Sequence, residues 1–288
     1  MTAPGTPSDL PRLPARQADA HKGDFGRALL VGGSRGMSGA ITLSGLACLR
    51  SGAGLVQLAV PAECQPIVAA AEPSFMTAAL DDDPCGRIDF RAKPRLTRLI
   101  EPATAVACGP GLARSRGLTK LVCWLYSEVR RPMVFDADAL NALARQPDVL
   151  EKPAGPRVLT PHPGEFRRLL GKDESLSRSE MESQAKELAA RWQAVIILKG
   201  QHSFITDGQQ SSVNTTGNPG MATGGTGDVL TGIVAALLAQ GLLPLNAARL
   251  AAHVHGLAGD LVSAELGQVS LVASDLIDYL PAAWKQTT

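Results

Sequence analysis

The most informative segment of the chain is rich in glycine and reads NTTGNPGMATGGTGD over residues 214–228, and it runs directly into the apolar stretch VLTGIVAALLA over residues 229–239. A glycine-rich loop in front of a helix exposes free backbone N–H groups to an anion at the helix N-terminus. Gly224, Gly225 and Gly227 have no Cβ that would keep a phosphate away from the backbone. The segment therefore predicts a helix over residues 226–240 that begins at an anion-binding loop formed by Gly224, Gly225, Thr226 and Gly227.

Asp228 lies in the first turn of this predicted helix, where a carboxylate interacts favourably with the helix dipole. It could also accept the proton of a substrate hydroxyl as a general base. The alternative is that Asp228 only caps the helix and the glycines only form a tight turn, but three glycines in four residues exceed what a cap needs. No Gly-Lys-Ser/Thr follows the glycines, so this is not a Walker P-loop, and a transferred phosphoryl group would need another source of positive charge.

Upstream of this loop, short apolar segments alternate with helical patterns, which is typical of βαβ units and a mostly parallel sheet. The predicted strands are 27–31, 55–60, 103–107, 133–135, 157–159 and 195–198. The predicted helices are 38–50, 61–71, 117–130, 137–145, 164–170, 179–191, 226–240, 244–266 and 274–284. Residues 203–206 and 211–214 flank Asp207-Gly208 and predict an antiparallel hairpin at the sheet edge. We expect a flexible arm over residues 1–20 and a single α/β domain over residues 21–288.

Composition excludes several classes of protein. The chain has 288 residues, 45% of them hydrophobic and 19% charged, which is globular and not disordered. The net charge of +1 and an aromatic content of 4% argue against a nucleic-acid-binding surface. Five cysteines without a CxxC pair, and an N-terminus without an apolar signal region, predict a soluble cytoplasmic protein that does not bind membranes.

Two further glycine-rich turns follow predicted strands, where ligands bind in open α/β sheets. GGSRGMSGA over residues 32–40 could let a flat ligand approach the backbone near Ala40, or could be a tight turn with Ser38 as the helix N-cap. CGPGL over residues 108–112 could offer N–H groups to a ligand, but it is equally consistent with a plain turn.

Three polar motifs also follow predicted strands. Asp136 and Asp138 could cap the next helix or orient a hydrated Mg²⁺. His162, between two prolines, could contact a ligand, or could be a surface histidine beside a Glu165 that acts only on the helix dipole. Lys199 could meet a phosphate as a point charge, or could be a solvated lysine at the sheet edge.

Taken in this order, the motifs resemble the ADP-dependent NAD(P)H-hydrate dehydratases, a ribokinase-like family also called carbohydrate-kinase-domain proteins. The resemblance covers about residues 21–285. It is carried by HKGDFG (21–26), GGS (32–34), SGA (38–40), RSGAGLV (50–56), GPGL (109–112), DADALN (136–141), TPHPGEF (160–166), LKG (198–200) and the more specific NPGMATGGTGD (218–228).

The resemblance implies a three-layer α/β/α fold with a mostly parallel central sheet, and the ADP-dependent dehydration of the S-epimer of NADH hydrate and NADPH hydrate. In that reaction ADP phosphorylates the ring hydroxyl and loss of phosphate restores NAD(P)H, with AMP as the other product. The resemblance places Ala40, Gly111, His162 and Asp228 at the hydrated dinucleotide, with Mg²⁺ bridging phosphates. It places Lys199, Gly200, Gln201, His202, Ser203 and Gly227 at ADP or AMP.

The resemblance also implies a homo-oligomer, with a tetramer as one candidate, and an NAD(P)H-hydrate epimerase as a separate protein. One difference is informative, because the sugar and vitamin kinases of this superfamily commonly carry Gly-Ala-Gly-Asp where this chain has Gly225-Thr-Gly-Asp228. The alternatives are a ribokinase-like kinase for a small alcohol, and a nucleotide sensor or scaffold without catalysis.

Overall fold

The computed structural model describes residues 9–172 and 174–287, and it contains a central sheet of nine strands. The strand order is β3-β2-β1-β4-β5-β6-β7-β8-β9. The strands are β1 Arg27–Val31, β2 Leu55–Pro61, β3 Met76–Leu80, β4 Ala105–Cys108, β5 Met133–Phe135, β6 Arg157–Leu159, β7 Val195–Leu198, β8 Phe204–Thr206 and β9 Ser211–Val213. All pairings from β1 to β7 are parallel, and β8 and β9 add the expected antiparallel hairpin at one edge.

Ten α-helices within the described residues cover the two faces of this sheet. They are α1 Ser38–Arg50, α2 Gln65–Ala71, α3 Lys93–Ile100, α4 Arg116–Glu128, α5 Ala137–Leu143, α6 Pro163–Leu169, α7 Arg178–Trp192, α8 Thr226–Ala239, α9 Pro244–Leu266 and α10 Ala273–Thr287. The buried side chains form two clusters with the sheet between them. One face of the sheet is covered by α1, α2, α8, α9 and α10, and the other face is covered by α3 to α7. This is the expected three-layer α/β/α architecture.

Strand β1 shows how the sheet separates the two cores. Ala28 and Leu30 point into one cluster, and Leu29 and Val31 point into the other. A strand that is buried on both faces has no polar alternation, so its sequence is continuously apolar. Helix α8 is apolar all round for the same reason, since every residue from Val229 to Ala239 is buried.

The N-terminal arm contacts the domain over its described part. Arg16 donates a hydrogen bond from Nη2 to the Gly52 carbonyl at 2.9 Å, and its guanidinium stacks on the ring of Phe25. Asp9 forms an ion pair with Arg249. Residues 9–20 thus lie against the domain, while residues 1–8 of the expected arm lie outside the described residues.

Two elements were missed by the sequence prediction. Strand β3 (MTAAL) lies at the sheet edge and is only partly buried, so it lacks the strong apolar signal of the central strands. Helix α3 is only eight residues long and has a proline in its first turn. Among the described residues, no helix is long and apolar enough to span a lipid bilayer.

Candidate active site

The loops that follow β1, β4, β5, β6 and β7 meet at the carboxyl edge of the sheet. The register pairs Cys108 with Phe135 and Phe135 with Leu159, so neighbouring strands end at the same level. Residues that are far apart in sequence therefore become neighbours at this edge, as expected for ligand sites in open α/β sheets.

A buried ion pair lies at the centre of this edge. Lys199 donates a hydrogen bond from Nζ to Asp136 Oδ1 at 2.8 Å, and Thr231 Oγ1 donates to Asp136 Oδ2 at 2.7 Å. Glu165 Oε2 lies 3.8 Å from Lys199 Nζ. Burial alone would lower the pKa of Lys199, but the two carboxylates outweigh it and the pKa is raised. Lys199 is therefore a fixed ammonium group and not a solvated lysine.

Helix α8 begins directly beside this ion pair. A Cβ added to Gly227 would lie 3.2 Å from Lys199 Nζ and 3.7 Å from Asp136 Oδ2, so an alanine there would press on the pair. Burial, followed by repulsion from Asp136, raises the pKa of Asp228 to about 7. In the part of the chain that the structure describes, no group donates a hydrogen bond to the Asp228 carboxylate. This combination of a raised pKa and unused oxygens suits a general base.

The glycine-rich loop is open at one point and locked at others. An added Cβ on Gly224 would meet no atom within 4 Å, whereas one on Gly225 would lie 2.7 Å from a methyl of Leu43. Gly225 also has a φ of +94° and is the N-cap of α8, so a larger residue there would be strained. Thr226 Oγ1 donates to the carbonyls of Met221 and Thr223 and closes the loop. The loop is thus open at Gly224 and held by contacts at Gly225 and Thr226.

His255 supports the same loop from the adjacent helix α9. Its Nε2 lies 2.9 Å from the Thr226 carbonyl, so the ring donates a hydrogen bond to that oxygen. Burial lowers the pKa of His255 to about 4, which keeps the ring neutral. This residue is not predictable from the sequence, because a lone histidine on an apolar helix carries no distinctive pattern.

His162 is the N-cap of α6 and forms a capping box with Glu165. His162 Nδ1 accepts hydrogen bonds from the N–H groups of Gly164 and Glu165, and a Glu165 carboxylate oxygen accepts one from the His162 N–H. The proton of the neutral ring is therefore on Nε2, which lies 3.4 Å from Glu165 Oε1. Burial, Lys199 and Arg168 lower the pKa of His162. Glu165 thus caps the helix and also faces Lys199.

Ala40 and Gly111 are close neighbours on the other side of the edge. Gly111 has a φ of +64°, and a Cβ added there would lie 3.1 Å from the Ala40 Cβ. The Ser44 hydroxyl donates to the carbonyl of Asp228 at 2.8 Å and to that of Ala40 at 3.2 Å, which links Ala40 on α1 to Asp228 on α8. The N-cap of α1 is Met37, and Ser38 is its first residue, so the alternative interpretation with Ser38 as the N-cap is wrong.

The turn from Gly200 to Ser203 joins β7 to β8 next to Lys199. Arg178 donates to the carbonyls of Leu198, Lys199 and His202 and holds this turn in place. Gly200 and His202 have positive φ, and Gln201 and His202 are exposed. The structure therefore places Gly227 close to Lys199, while Gly200, Gln201, His202 and Ser203 form the adjoining turn.

The two aspartates after β5 do not cap α5, contrary to one of the two sequence interpretations. Asp136 is at the N-cap position but binds Lys199 and Thr231 instead. Asp138 accepts a hydrogen bond from the N–H of Ala113. Ala137 between them has a φ of +49°, and this sparsely populated conformation is typical of functional sites.

The donor groups at the edge do not form a protein cage for a metal ion among the described residues. No cluster of three or more His, Cys, Asp or Glu side chains suited to a metal ion occurs within residues 9–172 and 174–287. Both Asp136 oxygens are already engaged by Lys199 and Thr231. Mg²⁺ needs few protein ligands when phosphates and water supply the rest, so these residues fit a metal held by the nucleotide and not by a protein cage.

Comparison with known proteins identifies relatives along most of the chain. A family model described as NAD(P)H-hydrate dehydratase matches residues 28–282. A bifunctional NAD(P)H-hydrate repair enzyme of Moorella thermoacetica is 49% identical over 94% of this chain and 51% of the relative. The chain thus spans about half the length of the curated relatives it matches.

Solved structures give the same picture. An ADP/ATP-dependent NAD(P)H-hydrate dehydratase from Bacillus subtilis, co-crystallised with ATP and Mg²⁺, is 32% identical with a TM-score of 0.80, covering 96% of this chain and 95% of that chain. A hydroxyethylthiazole kinase from Pyrococcus horikoshii is 19% identical with a TM-score of 0.61, and the match covers 90% of this chain and 88% of that chain. The second likeness shows the ribokinase-like fold alone.

Proposed function

Because this chain belongs to the NAD(P)H-hydrate dehydratase family, we propose that it dehydrates the S-epimer of NADH hydrate and NADPH hydrate with ADP as the phosphoryl donor. The products are NAD(P)H, AMP and phosphate. The observation that carries the proposal is Asp228, which has a carboxylate with a pKa raised to about 7 next to an open glycine loop and a fixed Lys199 ammonium.

Two steps account for the reaction. Asp228 removes the proton from the ring hydroxyl of the hydrate, and the hydroxyl oxygen attacks the β-phosphoryl group of ADP and releases AMP. The new phosphate ester then loses phosphate together with a proton from the neighbouring ring carbon, which restores the double bond. The N–H groups of the loop from Gly224 to Gly227 stabilise the transferring phosphoryl group as preorganised donors.

We assign the two substrates to two different sets of residues beside Asp228. We assign Ala40, Gly111 and His162 to the hydrated dinucleotide, which is supported by the proximity of Ala40 to Gly111. We assign Lys199 to Ser203 and Gly227 to ADP and AMP, which is supported by the proximity of Gly227 to Lys199. The Lys199 ammonium neutralises phosphate charge, and Asp136 and Thr231 keep it in position.

Mg²⁺ would accompany the nucleotide. When bound, it would neutralise phosphate charge, and Glu165 and Asp228 are carboxylates at this edge that could orient its water molecules. We assign no catalytic step to it.

We also propose a cytoplasmic homo-oligomer, with a tetramer as the state to test, that works alongside an NAD(P)H-hydrate epimerase activity. Leu243 and Val269 support self-association as exposed large apolar side chains, with 70% and 103% relative exposure. The free thiols of all five cysteines are consistent with a reducing compartment. Light scattering of the purified protein measures the oligomeric state.

Product analysis tests the proposed reaction. The protein is mixed with NADH hydrate and ADP, and NADH, AMP and phosphate are quantified together. The account expects the three products in equal amounts. A small-alcohol kinase would instead form a phosphorylated alcohol without NADH, and a nucleotide sensor would form no product.

A further inference from the structure

Two arginines at the carboxyl edge are anchored in the same way. Arg168 donates a hydrogen bond from Nε to Asn141 Oδ1 at 2.7 Å, and Arg114 Nε lies 3.4 Å from Asp138 Oδ1. Each guanidinium is thus held through Nε, its inner nitrogen. The two outer nitrogens, Nη1 and Nη2, do not bind the anchor.

The two anchors are joined into one chain of polar groups. Asn141 Nδ2 donates to Asp138 Oδ1 at 3.2 Å, and Asp138 Oδ2 accepts from the N–H of Ala113 at 2.9 Å. Asn141 is buried and the Asp138 side chain is only 19% exposed. Both arginines are therefore positioned by groups that have little freedom to move.

The outer nitrogens of these two arginines are unused. Within residues 9–172 and 174–287, no acceptor binds Nη1 or Nη2 of Arg114 or Arg168. Arg35 and Arg178 differ, since Arg35 binds both oxygens of Glu63 and Arg178 donates from its outer nitrogens to three carbonyls. Arg191 is also held through Nε, but its partner Glu151 is an exposed side chain and not a buried anchor. An anchored guanidinium with a free outer edge suits bidentate binding of a phosphate.

Each arginine follows a residue assigned to the hydrated dinucleotide. Arg114 is three residues after Gly111 and is tied to α5 through Asp138. Arg168 follows His162 by six residues on α6, and an added Cβ on Gly164 would lie 3.9 Å from its Nη1. Asp138 offsets one of the two positive charges, which leaves a net positive site for an anion.

We propose that Arg114 and Arg168 bind the phosphate groups of the hydrated dinucleotide and so contribute to its recognition. This inference rests on the proposed function, because it takes the dinucleotide to be the substrate. A dinucleotide offers two sources of phosphate at this edge, the pyrophosphate bridge of every NAD(P)H and the 2′-phosphate of NADPH alone.

Binding of the products tests the proposal without requiring turnover. NADH and NADPH carry the same phosphates as their hydrates, and calorimetry measures their affinity for wild type, Arg114→Gln, Arg168→Gln and the double variant. We expect each single substitution to weaken binding about tenfold, as for one charge-assisted contact, and to leave ADP binding unchanged. Arg114→Lys and Arg168→Lys keep the positive charge but lose the planar guanidinium that binds a phosphate through two N–H groups. These variants should retain part of the affinity that the glutamine variants lose. Arg98→Gln is the matched control, since Arg98 is an exposed arginine on α3.

Each outcome has a defined meaning. Equal weakening for NADH and NADPH assigns the pair to the pyrophosphate, and weakening for NADPH alone assigns it to the 2′-phosphate. The proposal is overturned if wild type binds neither dinucleotide, if the variants match Arg98→Gln, or if ADP binding falls equally. Wild type that binds NADH but does not dehydrate NADH hydrate would contradict the proposed function and leave the arginine result standing.

Discussion

Replacing Asp228 with asparagine should have opposite effects on stability and on turnover. Asparagine keeps the size of the side chain but cannot be ionised. The wild-type carboxylate is destabilised by burial and by repulsion from Asp136, which together raise its pKa from 3.8 to about 7. The folded protein therefore holds this proton more tightly than the unfolded chain, so wild type loses stability as the pH rises from about 3.8 to about 7.

The size of this effect follows from the two pKa values. Each unit of pKa shift corresponds to about 1.4 kcal/mol, so the shift of the Asp228 pKa destabilises the folded protein by roughly 4 kcal/mol above pH 7. This is an upper limit, because the carboxylate retains some contact with water. Asp228→Asn removes the penalty, so we expect a gain of about 2–4 kcal/mol at pH 8 that falls to less than half at pH 5. In a chain of this length the gain corresponds to a Tm higher by about 4–8 °C at pH 8.

Turnover should move in the other direction. Loss of a general base typically lowers kcat by about 10²–10⁴-fold, while ADP binding should be retained. Thermal unfolding at pH 5 and pH 8 measures the first effect, and NADH formation with ADP titration measures the second. Wild-type turnover in Asp228→Asn would refute its role as the base. A stability gain that is equal at both pH values would refute the electrostatic explanation of its raised pKa.

Two other substitutions test the site and the core. Gly227→Ala places a methyl against the Lys199 ammonium, so we expect the KM for ADP to rise about tenfold. The urea midpoint should be unchanged or slightly higher. Gly117→Ala is the control, since Gly117 lies in the first turn of α4 with room for a Cβ, and it should leave the KM unchanged. Arg157 is buried and donates to the carbonyls of Tyr126 and Val129, so Arg157→Leu should lower the free energy of unfolding by about 3 kcal/mol. A urea midpoint for Arg157→Leu equal to that of wild type would show that these hydrogen bonds do not stabilise the end of α4.

The fold was largely predictable because its strongest signals are local. The predicted strands over residues 27–31, 133–135, 157–159 and 195–198 coincide with β1, β5, β6 and β7, and the predicted helices over residues 38–50 and 244–266 coincide with α1 and α9. Central parallel strands are buried on both faces, so each is a short apolar run with turn residues at its ends. Strand β3 escaped prediction because an edge position does not require such a run.

The site was less predictable because its contacts cross long stretches of sequence. The loop from Gly224 to Asp228 could be read directly, since consecutive residues form it. The binding of Asp136 by Lys199 joins residues that are 63 positions apart, and Thr231 joins Asp136 over 95 positions. Local reasoning assigned Asp136 to helix capping or a metal, and only the strand order shows that a lysine after β7 can reach it.

The fate of the hydrate's hydroxyl oxygen tests the proposed reaction most directly. NADH hydrate with a heavy-oxygen label in its ring hydroxyl is converted with unlabelled ADP, and the phosphate and water are analysed by mass spectrometry. If Asp228 activates that hydroxyl to attack ADP, the label leaves in inorganic phosphate, one labelled oxygen for each NADH formed. Label recovered in water would show that the hydroxyl is never phosphorylated, which would contradict the account of this site as one that couples phosphoryl transfer to dehydration.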